Sequence, residues 1–218
     1  PLIYDKKINY IKSDILNIKN LEQVIKNNKY VYNFAGVSDL DSGASNPVES
    51  AEQNILATIH MLNFCKKYNI KRFVYASTIY VYSNKGGFYR CSKQAAENYI
   101  EEYYKKHKVN YSILRYGSIY GPGASRNNGL LKIISNSIKN KKILYEGSPN
   151  TVREYIHVLD AAKASVDILS DRFANKSIIL TGKQSIHMKD LLKMLSEILG
   201  YKKIIFKKKN DPNHYEQT

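Results

Sequence analysis

The sequence predicts an α/β fold built on a parallel sheet. Two observations carry the prediction. Through residues 8–120, short apolar runs alternate with longer stretches of helical spacing, which is the pattern of βαβ units. Small or polar residues close those apolar runs at Asp14, Ala35-Gly36, Ser77-Thr78 and Tyr116-Gly117. In open parallel sheets that edge is where ligands bind.

In order, residues 8–15 read as a strand closing on Ser13-Asp14, and residues 21–28 have helical spacing. Residues 30–35 form a second apolar run ending at Gly36. A polar loop over residues 39–46 leads to Pro47 and a long helix to about Tyr68, with Ile55, Ile59, Leu62 and Phe64 as its apolar positions. A buried strand covers residues 72–76 and a helix residues 92–107. The strand at residues 111–114 runs into Tyr116-Gly117-Ser118 and a Gly-Pro-Gly turn at residues 121–123. Beyond it the regularity loosens. Helices are expected over residues 129–140, 159–169 and 187–199, the last closed by Gly200. Extended segments are expected over residues 143–145, 152–158, 177–180 and 204–207. This half reads as a smaller α/β layer over the strand ends.

The chain has 218 residues, 43% of them hydrophobic and 11% aromatic, which suits one or two folded domains and not a disordered chain. It holds no apolar run long enough to span a membrane. Cys65 and Cys91 show neither disulfide nor metal-ligand spacing and fall in predicted helices. A reducing, cytoplasmic setting follows, and Cys91 is assigned a packing role. The net charge of +15 would suit nucleic acid, but the lysines are spread through every segment. The dense runs are 105–108, at a helix end where cations complement the dipole, and 207–209. Nucleic acid is therefore not the expected partner.

Residues 72–93 carry the chemistry. Ser77 and Thr78 end the strand, Gly86 and Gly87 make a loop, and Tyr89 and Lys93 share one helix face four residues apart. Tyr-x-x-x-Lys occurs twice, at Tyr89/Lys93 and Tyr104/Lys108, about as often as chance allows at this composition. Only Tyr89 lies close to strand-end hydroxyls. A phenol has an ordinary pKa near 10 and needs a cation nearby to act as a base at neutral pH. Lys93 can supply one, and Thr78 can hold the reacting oxygen. Arg115 can be an ion-pair partner or a ligand contact, and His157 is more naturally structural.

Several ordered motifs resemble the extended short-chain dehydrogenase/reductases of the NDP-sugar epimerase/dehydratase family. They are Asp14-Ile15, Phe34-Ala35-Gly36, Asn54 with Thr58, Ser77-Thr78 followed by Val81-Tyr82, Tyr89 with Lys93, residues 114–116 with 120–122, and residues 153–158 with Asp160. The resemblance implies a Rossmann-like, doubly wound parallel sheet. Residues 1–123 and 151–182 would form the dinucleotide-binding domain, and 124–150 and 183–218 the substrate domain. It implies NAD (NADP left open), bound by Asp14, Ile15, Phe34, Ala35, Gly36, Asn54, Ala76, Ser77, Tyr89, Lys93 and Tyr116. It implies a nucleotide-diphosphate sugar held by Ser38, Thr78, Ser118, Asn128 and Arg153, with Thr78, Tyr89 and Lys93 catalytic and Lys93 lowering the Tyr89 pKa.

The family's glycine-rich first strand and helix would precede Pro1. Dehydratases of the family carry Asp-Glu after the strand-end Thr, where this chain has Ile79-Tyr80. That favours an epimerase working through a transient keto-sugar, with a 4-keto-sugar reductase as the alternative. A homodimer through the helices at 51–68 and 92–107 is also implied.

Overall fold

The computed structural model describes residues 5–38 and 46–207. Its centre is a parallel sheet in the order β1 (Tyr30–Asn33), β2 (Arg72–Thr78), β3 (Tyr111–Tyr116) and β7 (Lys176–Leu180). The connecting helices are α2 (Pro47–Ala51), continuing through a π-helical stretch (Glu52–Leu56) into α3 (Ala57–Lys67), and α4 (Gly87–His107). α1 (Ile18–Ile25) precedes β1, with the Asn17 side chain accepting from the Asn20 N–H at its start. α6 (Val158–Asp167) precedes β7.

Alternation along the strands sorts the core into two layers. Phe73 and Tyr75 of β2 and Tyr111 and Ile113 of β3 face Ile25, Met61, Leu62, Cys65, Ala96 and Ile100 of α1, α3 and α4. Val74 and Leu114, on the other face, pack with Ile168 and with Leu169, Phe173, Ile178 and Leu180. Helical layers therefore cover both faces, as a doubly wound sheet requires. Burial pushes the Cys65 thiol up to about 12, so it behaves as a small apolar side chain.

Gly117 leads from β3 to β4 (Ser118–Tyr120), which pairs in parallel with β6 (Val152–His157); β6 pairs antiparallel with β8 (Ser185–His187). A separate apolar cluster joins α5 (Gly129–Asn140), α7 (Met188–Leu199) and the parallel pair β5 (Ile143–Glu146) and β9 (Ile204–Lys207). Its buried members are Ile143, Met188, Leu192 and Leu195. Among the described residues no helix is long and apolar enough to cross a membrane.

Three expectations change. Residues 8–15 form no strand: Ile8 and Ile11 are exposed, and no described strand lies alongside them. An apolar run without a ladder partner has nowhere to place its backbone hydrogen bonds except water. α4 begins at Gly87 and not at Ser92, because Gly86 takes a positive φ of 94° that turns the chain directly into the helix. Cys91 is exposed and not packed, with Arg90 Nη2 at 3.7 Å from its sulfur. β4 and β8, each three residues long, have too little period to be read from sequence. Of the polar loop at 39–46, only Asn46 lies within the described residues, where it caps α2.

Phe73 is fully buried at the centre of the larger layer. Phe73→Ala is expected to cost about 3–5 kcal/mol in urea denaturation of the full-length protein.

Candidate active site

Parallel pairing sets the strand ends side by side. Thr78 is in register with Tyr116, and Tyr116 with Leu180. Phe34, Ala35 and Gly36 follow the end of β1. The Phe34 ring is exposed and stands edge-on to Tyr116, 6.4 Å between centres. Tyr32 and Tyr116 are both anchored on Ser165 of α6, through its carbonyl and its hydroxyl respectively.

α4 brings Tyr89 and Lys93 to this edge, and both are buried. Lys93 Nζ donates to the Ala76 carbonyl at 2.9 Å and lies 4.7 Å from the centre of the Tyr75 ring. Burial lowers the Lys93 pKa to about 8, against the opposing pull of the Glu97 carboxylate. The Thr78 side chain lies close enough to Tyr89 to bear on its pKa, and the Tyr80 ring stands edge-on to it at 6.3 Å. Burial raises the Tyr89 pKa and the Thr78 side chain partly offsets this. The expected lowering of the Tyr89 pKa by Lys93 is therefore not what this arrangement produces. The ammonium engages Ala76 and Tyr75, and the side chain that bears on the phenol is that of Thr78.

A buried polar chain fixes α4 against the π-helical stretch. Asn54 Nδ2 donates to Ser92 Oγ at 2.9 Å and to the Val37 carbonyl at 3.0 Å. Ser92 Oγ donates to the Tyr89 carbonyl at 2.9 Å. Thr58 Oγ1 donates to the Asn54 carbonyl and accepts from Asn33 Nδ2. Gly36, with a φ of 138°, abuts Asn54: a Cβ there would lie 2.1 Å from Asn54 Oδ1. Extra-wide helical turns recur at functional sites, and this one lets Asn54 reach both the loop after β1 and α4. Ser77 is buried at the end of β2 with its Oγ unpartnered.

The remaining predicted residues are dispersed. Asp14 is exposed and its carboxylate accepts from the Leu16 N–H, while Ile15 packs against the larger core layer. Ser38 is exposed beyond Gly36. Ser118 and Arg153 lie on β4 and β6, Arg153 in register with Ile186 and donating to the Val152 carbonyl. Asn128 caps α5 through Oδ1 and donates to the Ile119 carbonyl through Nδ2. Arg115 is an ion-pair partner, held by Glu97. His157 is structural, with Nδ1 capping α6 and its ring 5.2 Å from that of Tyr120. Sequence reasoning missed Ser92 and Glu97. The Glu97 spacing, one helical turn past Lys93, was the available signal.

Gly36→Ala is expected to lower the melting temperature, since both its φ and its contact with Asn54 oppose a side chain. A second expectation concerns pH. Lys93 binds its proton less readily folded than unfolded. Between about pH 8 and 10 the unfolded chain therefore holds more protons at this position, and the Lys93 contribution to stability rises with pH. Urea midpoints of the wild type minus those of Lys93→Met should climb across that window.

A family model, the NAD dependent epimerase/dehydratase family, matches residues 2–180. A dTDP-D-glucose 4,6-dehydratase of Dictyostelium discoideum is 28% identical over 187 residues, covering 73% of this chain and 43% of that protein. A putative UDP-glucose 4-epimerase of Methanocaldococcus jannaschii is 27% identical over 216 residues, covering 90% of this chain and 70% of that protein. The chain thus spans less than half of the first relative's length. Among solved structures, UDP-glucose 4-epimerase from Thermotoga maritima with UDP-glucose superposes with a TM-score of 0.89 at 20% identity, covering 99% of this chain and 76% of that one. UDP-glucuronic acid 4-epimerase from Bacillus cereus, in complex with UDP-glucuronic acid and NAD, gives 0.89 at 23% identity, covering 98% and 73%. With the larger part of its length matched and the α/β sheet in place, the chain belongs to the NAD dependent epimerase/dehydratase family.

Proposed function

We propose that this chain carries the catalytic part of an NAD-dependent epimerase of nucleotide-diphosphate sugars, inverting a carbinol carbon through a transient ketone. The observation that carries the reading is the surroundings of Tyr89. Thr78 stands beside the phenol and bears on its pKa, and the two residues after Thr78 are Ile79, which is buried, and Tyr80, whose ring edge meets Tyr89. No carboxylic acid stands where the family's dehydratases place their pair, which favours inversion over water elimination. The relatives' names favour carbon 4 as the centre inverted.

The residues present fit a nicotinamide dinucleotide. Phe34 and Ala35 are exposed in the loop after β1, and the buried Ser77 hydroxyl is unpartnered at the strand end. Asp14, Ile15, Asn54, Ala76 and Tyr116 complete the proposed cradle. Bound there, NAD would supply the hydride acceptor and donor, and its oxidised nicotinamide the nearby cation that a buried phenol needs to act as a base. Tyr89 Oη takes the proton from the sugar hydroxyl and returns it, while Thr78 Oγ1 holds the same oxygen in line. Lys93 directs its ammonium to the strand end, where a ribose hydroxyl can accept from it. Arg153 is proposed for the diphosphate, a match for a planar guanidinium fork, with Ser38, Ser118 and Asn128 on the sugar side. The proposed division assigns residues 1–123 and 151–182 to the cofactor and 124–150 and 183–218 to the sugar.

Full-length Tyr89→Phe should lose at least about a thousandfold in turnover of UDP-sugars with its circular dichroism and melting temperature unchanged. Near-normal turnover would refute the assignment. In the wild type, conversion should proceed with sub-stoichiometric NAD and no net NADH. Steady consumption of NAD(P)H would identify a keto-sugar reductase instead.

A further inference from the structure

Ser165 lies in the last turn of α6, and tyrosines from two different strands end on it. Tyr32 of β1 donates its hydroxyl to the Ser165 carbonyl at 2.7 Å. That carbonyl is one that a helix end leaves open. The Leu169 N–H, which would continue the ladder to it, bonds to the Val166 carbonyl at 3.1 Å instead. Tyr116 of β3 is hydrogen-bonded to Ser165 Oγ. A third partner sets the direction of that bond. Ser165 Oγ donates its single proton to the Ala161 carbonyl at 2.6 Å, so the Tyr116 hydroxyl is the donor and the serine oxygen accepts.

Phe34 stands between the two anchored rings. Its centre is 5.6 Å from that of Tyr32, tilted by 53°, and 6.4 Å from that of Tyr116, at 69°. Phe34 is 57% exposed, so its own burial contributes little to holding the fold. β1 and β3 are not neighbours in the sheet, and Ser165 is the point at which their two tyrosines are tied together. Each such hydrogen bond adds only about 1 kcal/mol to stability. What the bonds do fix is the direction of the rings at the strand ends, beside Thr78, which is in register with Tyr116.

We propose that Ser165 is a positioning residue for the cofactor: its hydroxyl holds Tyr116, and with Tyr116 the exposed Phe34 ring, as a fixed aromatic wall against which NAD packs. Ser165 acts through Tyr116 and not by contact with the cofactor. A wall fixed in advance spares the binding step the ordering of free side chains. The proposal rests on the reading of Phe34 and Tyr116 as part of the NAD cradle.

The test measures NAD binding by calorimetry on full-length protein stripped of nucleotide. Wild type, Ser165→Ala, Ser165→Thr, Tyr116→Phe and the double variant Ser165→Ala/Tyr116→Phe are compared. Loss of either hydroxyl is expected to weaken NAD about tenfold, the cost of ordering one freed ring. The double variant should lose no more than either single one, because both remove the same bond. Ser165→Thr keeps the hydroxyl and should bind as the wild type does. In turnover of UDP-sugars, the Ser165→Ala loss should fall on the apparent KM for NAD and not on kcat, a split that general weakening of the fold would not produce. Should Ser165→Ala not fold, Tyr116→Phe removes the same bond from its other end. Affinity within about twofold of the wild type in the folded variants would overturn the proposal, as would additive losses in the double variant. So would failure of both single variants to fold, since the bond would then be needed for the fold itself. A wild type that binds no NAD would overturn the cofactor reading and the proposal with it. Binding by the wild type with unmoved variants overturns the proposal alone.

Discussion

The site depends on one costly arrangement, an ammonium buried between a helix and a strand. Lys93 reaches from α4 to the Ala76 carbonyl and the Tyr75 face, with burial working against its charge. Both contacts belong to β2, whose next residues are Ser77 and Thr78. Once Lys93 is seated, Tyr89 one turn earlier is brought to Thr78. The geometry of the hydroxyl, the phenol and the ammonium is thus a consequence of docking one helix on one strand.

Two further sets of contacts make that docking unique. The Asn54–Ser92 hydrogen bond ties α4 to the π-helical stretch and through it to the loop after β1, where Gly36 leaves the space Asn54 occupies. The Glu97–Arg115 fork ties α4 to β3. Buried polar groups in such chains are costly when partly satisfied and strongly orienting when satisfied. Here they converge on the edge of the sheet where the strand ends lie, while the apolar layers below supply the burial that holds the sheet together.

Much of this was legible in the sequence. Apolar runs at 72–76 and 111–114, separated by a long amphipathic stretch, fixed both the parallel pairing and the position of Ser77-Thr78. The spacing of Tyr89 and Lys93 placed them on one face. Residues 8–15 misled because an apolar run looks like a strand whether or not a neighbour exists to pair with it. Asn54 was legible as a motif residue, but its tie to Ser92 and the Val37 carbonyl was not, since it depends on a π-helical turn that no local pattern announces. The direction of the Tyr89 pKa was misjudged because sequence spacing says that a lysine is near, not which carbonyl it is bonded to. Glu97 and Arg115 are far apart in sequence, and only the sheet brings them together.

On the proposed function, a sugar hydroxyl is oxidised and restored at Tyr89 without release of the hydride. The most direct measurement uses UDP-glucose deuterated at carbon 4, incubated with full-length enzyme and NAD in ordinary water, with the epimer analysed by mass spectrometry. The product is expected to keep its deuterium at carbon 4. An inverted product that has exchanged that deuterium for solvent hydrogen would contradict it.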